Sequence, residues 1–308
     1  MSVITVENIY KSFGQTQAVR DVSFQVERGR IFGLLGPNGA GKTTTIRMIN
    51  YILIPDHGSI TVNGIPVGPK TQLLIGYLPE ERGLYKKMKV GEQLLYLGRL
   101  KGLSSSEARK RIRYWLDRFG ASDWLQKEVG ELSKGMSQKI QFIATILHDP
   151  DICIFDEPFS GLDPINSELL KDIILELRDR GKVIFFATHR MEQVEQMCED
   201  ICLFNNGRVV LSGNLRKIKS DFGENTVLLE FDGDSSFLDS LKGVRINNRS
   251  TNFAEIRILD ETNPQSILRQ AVEVTNVHRF ETVEPSLTEI FISTVGTDNI
   301  NSAKPGLT

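Results

Sequence analysis

Cysteine is scarce in this chain: Cys153, Cys198 and Cys202 are the only three in 308 residues. Cys153 lies in an apolar run, and the other two stand four apart with no ligand-type neighbours. That excludes a disulfide framework or a zinc cluster and leaves reduced thiols, as in a cytosolic protein. Long apolar runs are missing as well. No stretch approaches the roughly 18 uninterrupted apolar residues that a membrane helix needs. The opening MSVITVENIY has no basic flank before an apolar core, so no signal peptide is expected in it. Neither sign of charge dominates. With 37 Lys and Arg against 39 Asp and Glu, the net charge is −2, which gives no reason to expect a nucleic-acid partner. The one basic cluster, Arg109, Lys110, Arg111 and Arg113, is flanked by Glu107 and Asp117 and reads as a solvated helix face. Internal repeats and low-complexity tracts are absent.

What the chain does have is Gly36-Pro37-Asn38-Gly39-Ala40-Gly41-Lys42-Thr43-Thr44, a complete G-x-x-x-x-G-K-[ST] phosphate-binding loop. An apolar run, Ile31–Leu35, precedes it, and an apolar-periodic segment, Thr45–Leu53, follows. That is the strand–loop–helix context the pattern requires. The glycines let the backbone curl so that its N–H groups face a polyphosphate. Lys42 reaches the β- and γ-phosphates, Thr43 offers a hydroxyl to Mg²⁺, and the helix N-terminus favours negative charge.

Apolar spacing organises the rest. Residues 2–35 hold three alternating runs, Ile4–Ile9, Ala18–Val26 and Ile31–Leu35, broken at Gly14 and at Glu27-Arg28-Gly29. This predicts an antiparallel β piece leading into the strand before the loop. Short strands split by Asn63-Gly64 and Pro66 follow over 58–80. From about 85 to 147 the spacing turns helical, through Leu94, Leu95, Leu97 and Leu100 and then Ile112, Trp115, Leu116 and Phe119. Strand Ile152–Phe155, helix Asn166–Arg180, strand Val183–Ala187, helix Met191–Cys198 and strand Ile201–Phe204 then alternate. The class is therefore α/β, with a parallel-rich sheet covered on both faces. Near residue 214 the style changes. Thr226–Phe231, Phe237–Leu241, Val244–Ile246, Phe253–Ile258, Pro264–Val272 and Val277–Val283 read β-α-β-β-α-β. A first domain is expected over 1–221 and a small α+β domain over 222–296, with 297–308 a disordered tail.

Candidate chemistry gathers at strand ends. Ile152–Phe155 runs into Asp156 and Glu157. Asp156 can hold Mg²⁺ through water, and Glu157 can polarise a water for attack on the γ-phosphorus. His189 follows strand Val183–Ala187 and has no partner visible in the sequence, so a structural role and a γ-phosphate contact both stand open. Phe13, in Lys-Ser-Phe-Gly, is either an ordinary packing residue or a platform for an adenine ring. His57, His148 and His278 carry no functional reading.

At this point the chain resembles the ATPase subunits of ABC transporters. Leu132-Ser133-Lys134-Gly135-Met136-Ser137-Gln138 is similar to their signature loop, Ser160-Gly161-Leu162-Asp163 to their D-loop, and His189 to their switch histidine. Phe13 falls where they keep an aromatic under adenine. These matches run in the family's order across about 1–215. The resemblance implies a P-loop ABC ATPase domain with a mixed sheet, an antiparallel β subdomain and a helical subdomain, followed by the small C-terminal domain. It implies ATP and Mg²⁺, with the metal near Thr43, Asp156 and Glu80. It also implies a second ATPase subunit, in a homodimer, facing the first head to tail. Ser133 and Gly135 would then contact the γ-phosphate held on the other copy's phosphate loop, and Asp163 would lie at the seam. Two departures are visible. Glu80 stands where most of the family has Gln, and Lys134 and Met136 stand where Gly and Gln are commoner.

Tyr-Leu-Pro-Glu-Glu-Arg-Gly-Leu-Tyr (77–85), Val90–Leu97, Thr-His-Arg-Met-Glu-Gln-Val-Glu (188–195) and Glu-Pro-Ser-Leu-Thr-Glu-Ile-Phe (284–291) are similar to the ATPases of ABC-2-type exporters, especially the sodium-efflux type. That implies an export subunit in the cytoplasm, peripheral on the inner face of the cell membrane. Its partner would be an integral membrane permease, met by the stretch from Glu80 to Leu97. Gly83, Leu84, Tyr85 and Met88 are the contact candidates unless they merely pack the helical subdomain. A soluble ABC ATPase with a non-membrane partner is the competing class. One phosphate loop rather than two, and a Thr43–Leu132 interval without sustained heptads, argue against ribosome- and DNA-acting forms. An importer ATPase with a regulatory C-terminal domain is the third.

Overall fold

The computed structural model describes residues 2–81, 83–222, 226–233, 235–259 and 263–296. The expected tail, 297–308, lies outside them. Along the chain run β1 (Ser2–Phe13), β2 (Thr16–Glu27), β3 (Ile31–Leu35), α1 (Lys42–Ile49), β4 (His57–Val62), β5 (Ile65–Pro66), α2 (Pro69–Gln72) and β6 (Ile75–Leu78). Then come α3 (Val90–Leu100), α4 (Ser105–Arg118), α5 (Lys134–Ile146), β7 (Ile152–Asp156), α6 (Pro164–Asp179), β8 (Val183–Thr188), α7 (Met191–Met197), β9 (Asp200–Asn205) and β10 (Arg208–Asn214). The remainder is α8 (Leu215–Phe222), β11 (Thr226–Asp232), β12 (Val244–Arg249), β13 (Phe253–Ile258), α9 (Pro264–Val274), β14 (Asn276–Val283) and α10 (Leu287–Val295).

The chain divides into two compact units at Asn214/Leu215, so α8 groups with the second rather than the first. In the first unit, β3, β7 and β8 are buried at every position. Strands with no polar face must be covered on both sides, and these are the middle of a six-stranded sheet ordered β10-β9-β3-β8-β7-β6. All neighbours from β9 to β6 are parallel, and only β10 runs against its neighbour. One face meets an antiparallel sheet, β2-β1-β4-β5. Val6, Val22, Val26 and Val62 pack there with Phe32, Ile154 and Phe185 and with Ile46 and Ile49 of α1 in one apolar core.

The opposite face of the main sheet leads to the helical part. Trp115 of α4, Phe119, Phe142 of α5 and Phe155 of β7 form a chain of ring contacts with centroids 6.4, 5.9 and 4.9 Å apart. Fully burying each such ring contributes roughly 2–3 kcal/mol, so this ladder ties the helices to the strand that carries Asp156. α4 starts where Ser104 Oγ accepts Glu107 N–H at 3.2 Å.

The second unit is a four-stranded antiparallel sheet ordered β12-β13-β11-β14. Val227, Leu229, Phe231, Ala254 and Ile256 share an apolar core with Ile267 and Ala271 of α9. The expected first helix, Phe237–Leu241, is a 3₁₀ segment over Ser235–Ser240, too short for α-helical turns to repeat. α10 is closed by a capping box between Ser286 and Glu289, and Glu289 also accepts from Thr226 at 3.3 Å.

Candidate functional site

Parallel register brings the strand ends together. Leu35 of β3 pairs with Thr188 of β8, and Asp156 of β7 pairs with Ala187. The phosphate loop, Asp156-Glu157, Thr188-His189 and the Pro79-Glu80 segment after β6 therefore all leave the sheet at its carboxyl edge. That edge is where open parallel sheets take their ligands.

The phosphate loop is shaped by close packing. Gly36 sits at φ 144°, and a Cβ there would lie 2.3 Å from Phe204 O; Gly41 sits at φ 106°, with Ala18 O at 2.6 Å from its would-be Cβ. Both contacts are with backbone and cannot give way. Gly36→Ala is expected to cost about 3 kcal/mol of stability, read as a lower urea midpoint at constant m-value. The helix was expected from Thr45, but α1 begins at Lys42. Lys42, Thr43 and Thr44 thus form its first turn, whose N–H groups have no intrahelical partner.

Lys42 is buried, and its Nζ donates to Gly36 O at 2.6 Å and Pro37 O at 3.0 Å. Burial pushes its pKa down, against the pull of the Glu157, Asp156 and Glu80 charges. Thr43 Oγ1 donates to Asp156 Oδ2 at 3.2 Å. Burial, followed by the charge of Glu80, pushes Asp156 up to about 6. The same burial, with Asp156 nearby, pushes Tyr77 of β6 to about 12. Two crowded carboxylates and a hydroxyl make a hard oxygen donor set, which fits Mg²⁺. Among the described residues no group of three His, Cys, Asp or Glu side chains forms a metal cage.

Glu157 occupies the left-handed region at φ 50°, a conformation costing a non-glycine residue about 1–2 kcal/mol. It is held there by β8. Glu157 N–H donates to Ala187 O at 2.9 Å. Its Oε1 accepts His189 N–H at 2.8 Å and faces His189 Nδ1 at 2.6 Å, while Oε2 accepts Thr188 Oγ1–H at 3.1 Å. A carboxylate only accepts, so Nδ1 carries the proton and Nε2 is the nitrogen open to a ligand. The partner of His189 that the sequence did not reveal is thus Glu157.

Ser133 caps α5 by accepting Met136 N–H at 3.3 Å. The helix begins at Lys134, so Gly135 lies in its first turn. A Cβ on Gly135 would meet Gly161 O at 3.4 Å, which sets the signature-like loop beside Ser160–Asp163. Asp163 caps α6 by accepting Asn166 N–H at 2.9 Å, and these bonds lower its pKa. Phe13 is half exposed at the end of β1, with Lys11 Nζ 5.8 Å from its ring centre. Glu80 is exposed. Sequence reading missed two glutamines of α5. Gln138 donates to Pro158 O at 2.8 Å, and Gln141 to Pro79 O at 3.1 Å and Glu81 O at 3.2 Å. Their signal was available: amides three apart, among apolar residues on the buried face of a helix.

A phosphate loop beside two carboxylates on a parallel sheet, with antiparallel and helical additions, defines a P-loop ATPase of the cassette type. A family model described as "ABC transporter" matches residues 19–160, and "ATP-binding protein DrrA1-3-like, C-terminal domain" matches 213–295. The uncharacterized ABC transporter ATP-binding protein YhaQ of Bacillus subtilis is 46% identical over 294 residues, 96% of this chain and 99% of its own. The Nod factor export ATP-binding protein I of Cupriavidus pinatubonensis is 35% identical over 246 residues, 79% of this chain and 74% of its own. A solved structure of the ATP-binding subunit of an ABC transporter matches with TM-score 0.68 at 33% identity, covering 72% of this chain and 94% of that one. The chain belongs to the ABC transporter ATP-binding subunits and is an ATP-hydrolysing transport ATPase related to export-type members.

Proposed function

We propose that two copies of this chain bind ATP between them, head to tail, and that closing and reopening of the pair drives a separate export permease. The observation that carries this reading is the division of the ATP-directed groups. Lys42, Thr43, Asp156, Glu157 and His189 gather at one sheet edge, while Ser133 caps a helix whose first turn carries Gly135, beside the loop that ends at Asp163. A second copy would supply its own Ser133 and Gly135, whose helix N-terminus favours a γ-phosphate. Gly36 through Thr44 cradle the phosphates, and the ring of Phe13 stacks on adenine. Thr43, Asp156 and Glu80 would hold Mg²⁺, which screens the phosphate charge when bound. Glu157 takes the proton of the attacking water, and His189 Nε2 faces the γ-phosphate. Gln138 and Gln141 link the signature helix to the loops carrying Glu157 and Glu80, so nucleotide state on one side can shift the other.

No helix among the described residues is long and apolar enough to cross a membrane, so the membrane connection needs a docking surface. Tyr85 and Tyr96 are half exposed, their rings 6.4 Å apart, and with Met88 they line a hollow of about 230 Å³. Leu84 is half-buried and Gly83 exposed, and Arg82 lies outside the described residues. Aromatic anchors in a pocket are the usual centre of an interface, so this surface takes a permease segment. It keeps the protein on the inner face of the cell membrane. Sodium is the candidate solute, and the permease decides it.

The test is recovery from native membranes. Tagged chain in MgATP is expected to bring down a multi-span protein. Replacing Tyr85 and Tyr96 together by alanine should lower that recovery at least tenfold, since two hot-spot aromatics are each worth about 1–2 kcal/mol or more. Recovery with ribosomes, or with no membrane protein at all, would remove the transport coupling and leave a soluble dimeric ATPase.

A further inference from the structure

Thr188 is the last residue of β8, wholly buried, and its hydroxyl is the group that bonds Glu157 Oε2. Three hydrogen-bonding groups converge on that one oxygen. It donates toward Glu157 Oε2 at 3.1 Å, faces Gln193 Oε1 of α7 at 3.3 Å, and accepts Arg190 N–H at 3.1 Å. The accepted bond and the stiff β-branched side chain fix where the oxygen sits. A hydroxyl has one proton, and both remaining neighbours are acceptors. The proton therefore goes either to the carboxylate or to the glutamine amide, never to both.

We propose that Thr188 is a positioning residue for hydrolysis: its hydroxyl sets the orientation of the Glu157 carboxylate, with Gln193 as the acceptor that takes the proton when the carboxylate turns. This rests on the reading of Glu157 as the group that activates water. His189 holds Oε1 through two contacts, and Thr188 alone among the described residues donates a side-chain bond to Oε2. Without the hydroxyl the carboxylate keeps its place in the chain but can rotate about its last bond. A base misaimed toward its water loses rate without losing ATP. Because Gln193 can receive the proton, Oε2 is released without leaving the buried hydroxyl unpaired, which keeps the turn inexpensive.

The experiment compares steady-state ATP hydrolysis by full-length Thr188→Val, Thr188→Ala, Thr188→Ser and Glu157→Gln. Valine removes the hydroxyl at nearly constant shape, and serine keeps it. Thr188→Val and Thr188→Ala are expected to lower kcat about tenfold or more, with KM for ATP within about twofold, and Thr188→Ser to restore most of the rate. If valine does not fold, alanine against serine decides. An unchanged kcat in the hydroxyl-free variants, beside an inactive Glu157→Gln, overturns the role of Thr188 alone. Serine as slow as valine would mean packing and overturns it too. Turnover surviving in Glu157→Gln removes the base assignment and this inference with it.

Discussion

Glu157→Gln is expected to lower kcat by about 10²–10³-fold, the scale of a lost general base, while MgATP still binds and holds two copies together. The geometry explains why the fold should tolerate it. The amide oxygen can go on accepting His189 N–H and Nδ1–H, now at 2.8 and 2.6 Å. The amide nitrogen then faces Thr188 Oγ1, which can accept, because its own proton has Gln193 Oε1 as an alternative acceptor at 3.3 Å. Every hydrogen bond survives with reversed direction at one of them. What goes is the ability to take a proton from water. Gel filtration with MgATP should show a species of twice the monomer mass that persists, where the unmodified chain returns to monomer as ATP is consumed. Normal turnover in this variant would remove Glu157 as the base.

Lys42→Ala is expected to act one step earlier, weakening ATP binding by about 2–3 kcal/mol, roughly 30- to 150-fold, the worth of hydrogen bonds to a charged group. Lys42 Nζ is held by Gly36 O and Pro37 O, and phosphate oxygens would take those bonds with charge assistance. Folding itself should change little. Removing a buried ammonium relieves the desolvation that already pushes its pKa down, and this offsets the two carbonyl bonds lost. A thermal melt separates the effects: the midpoint without ATP stays close to that of the unmodified chain, and the upward shift with ATP disappears. An undiminished shift would show that Lys42 does not reach the phosphates.

Much of the first unit was legible because its chemistry is local. The phosphate loop and the Asp156-Glu157 strand end are written in consecutive residues. β3, β7 and β8 announce themselves as unbroken apolar runs. Helix starts were less legible. α1 opens at Lys42 and not at Thr45, because the glycine-rich loop closes directly into the first turn, and no apolar spacing marks that turn. Periodicity also misled at Phe237–Leu241, where the connection is too short to be an α-helix and turns as 3₁₀ instead.

Contacts between distant segments were hidden. Glu157 and His189 are 32 positions apart, and only the parallel pairing of β7 with β8 makes them neighbours. The reach of Gln141 to Pro79 and Glu81 needs α5 packed against the end of β6. The aromatic ladder from Trp115 to Phe155 likewise joins three separate segments, the end of α4, α5 and β7.

By itself the sequence determined the chemistry this protein carries, because a phosphate loop and its carboxylates are defined by residue type at fixed spacing along the backbone. The tertiary structure alone decided how those groups are aimed. Which carboxylate oxygen His189 grips, where the Thr188 proton can go and which loops the α5 glutamines hold depend on strand register and side-chain packing. Both arise from burying apolar surface over the whole unit, so no local stretch of sequence encodes them.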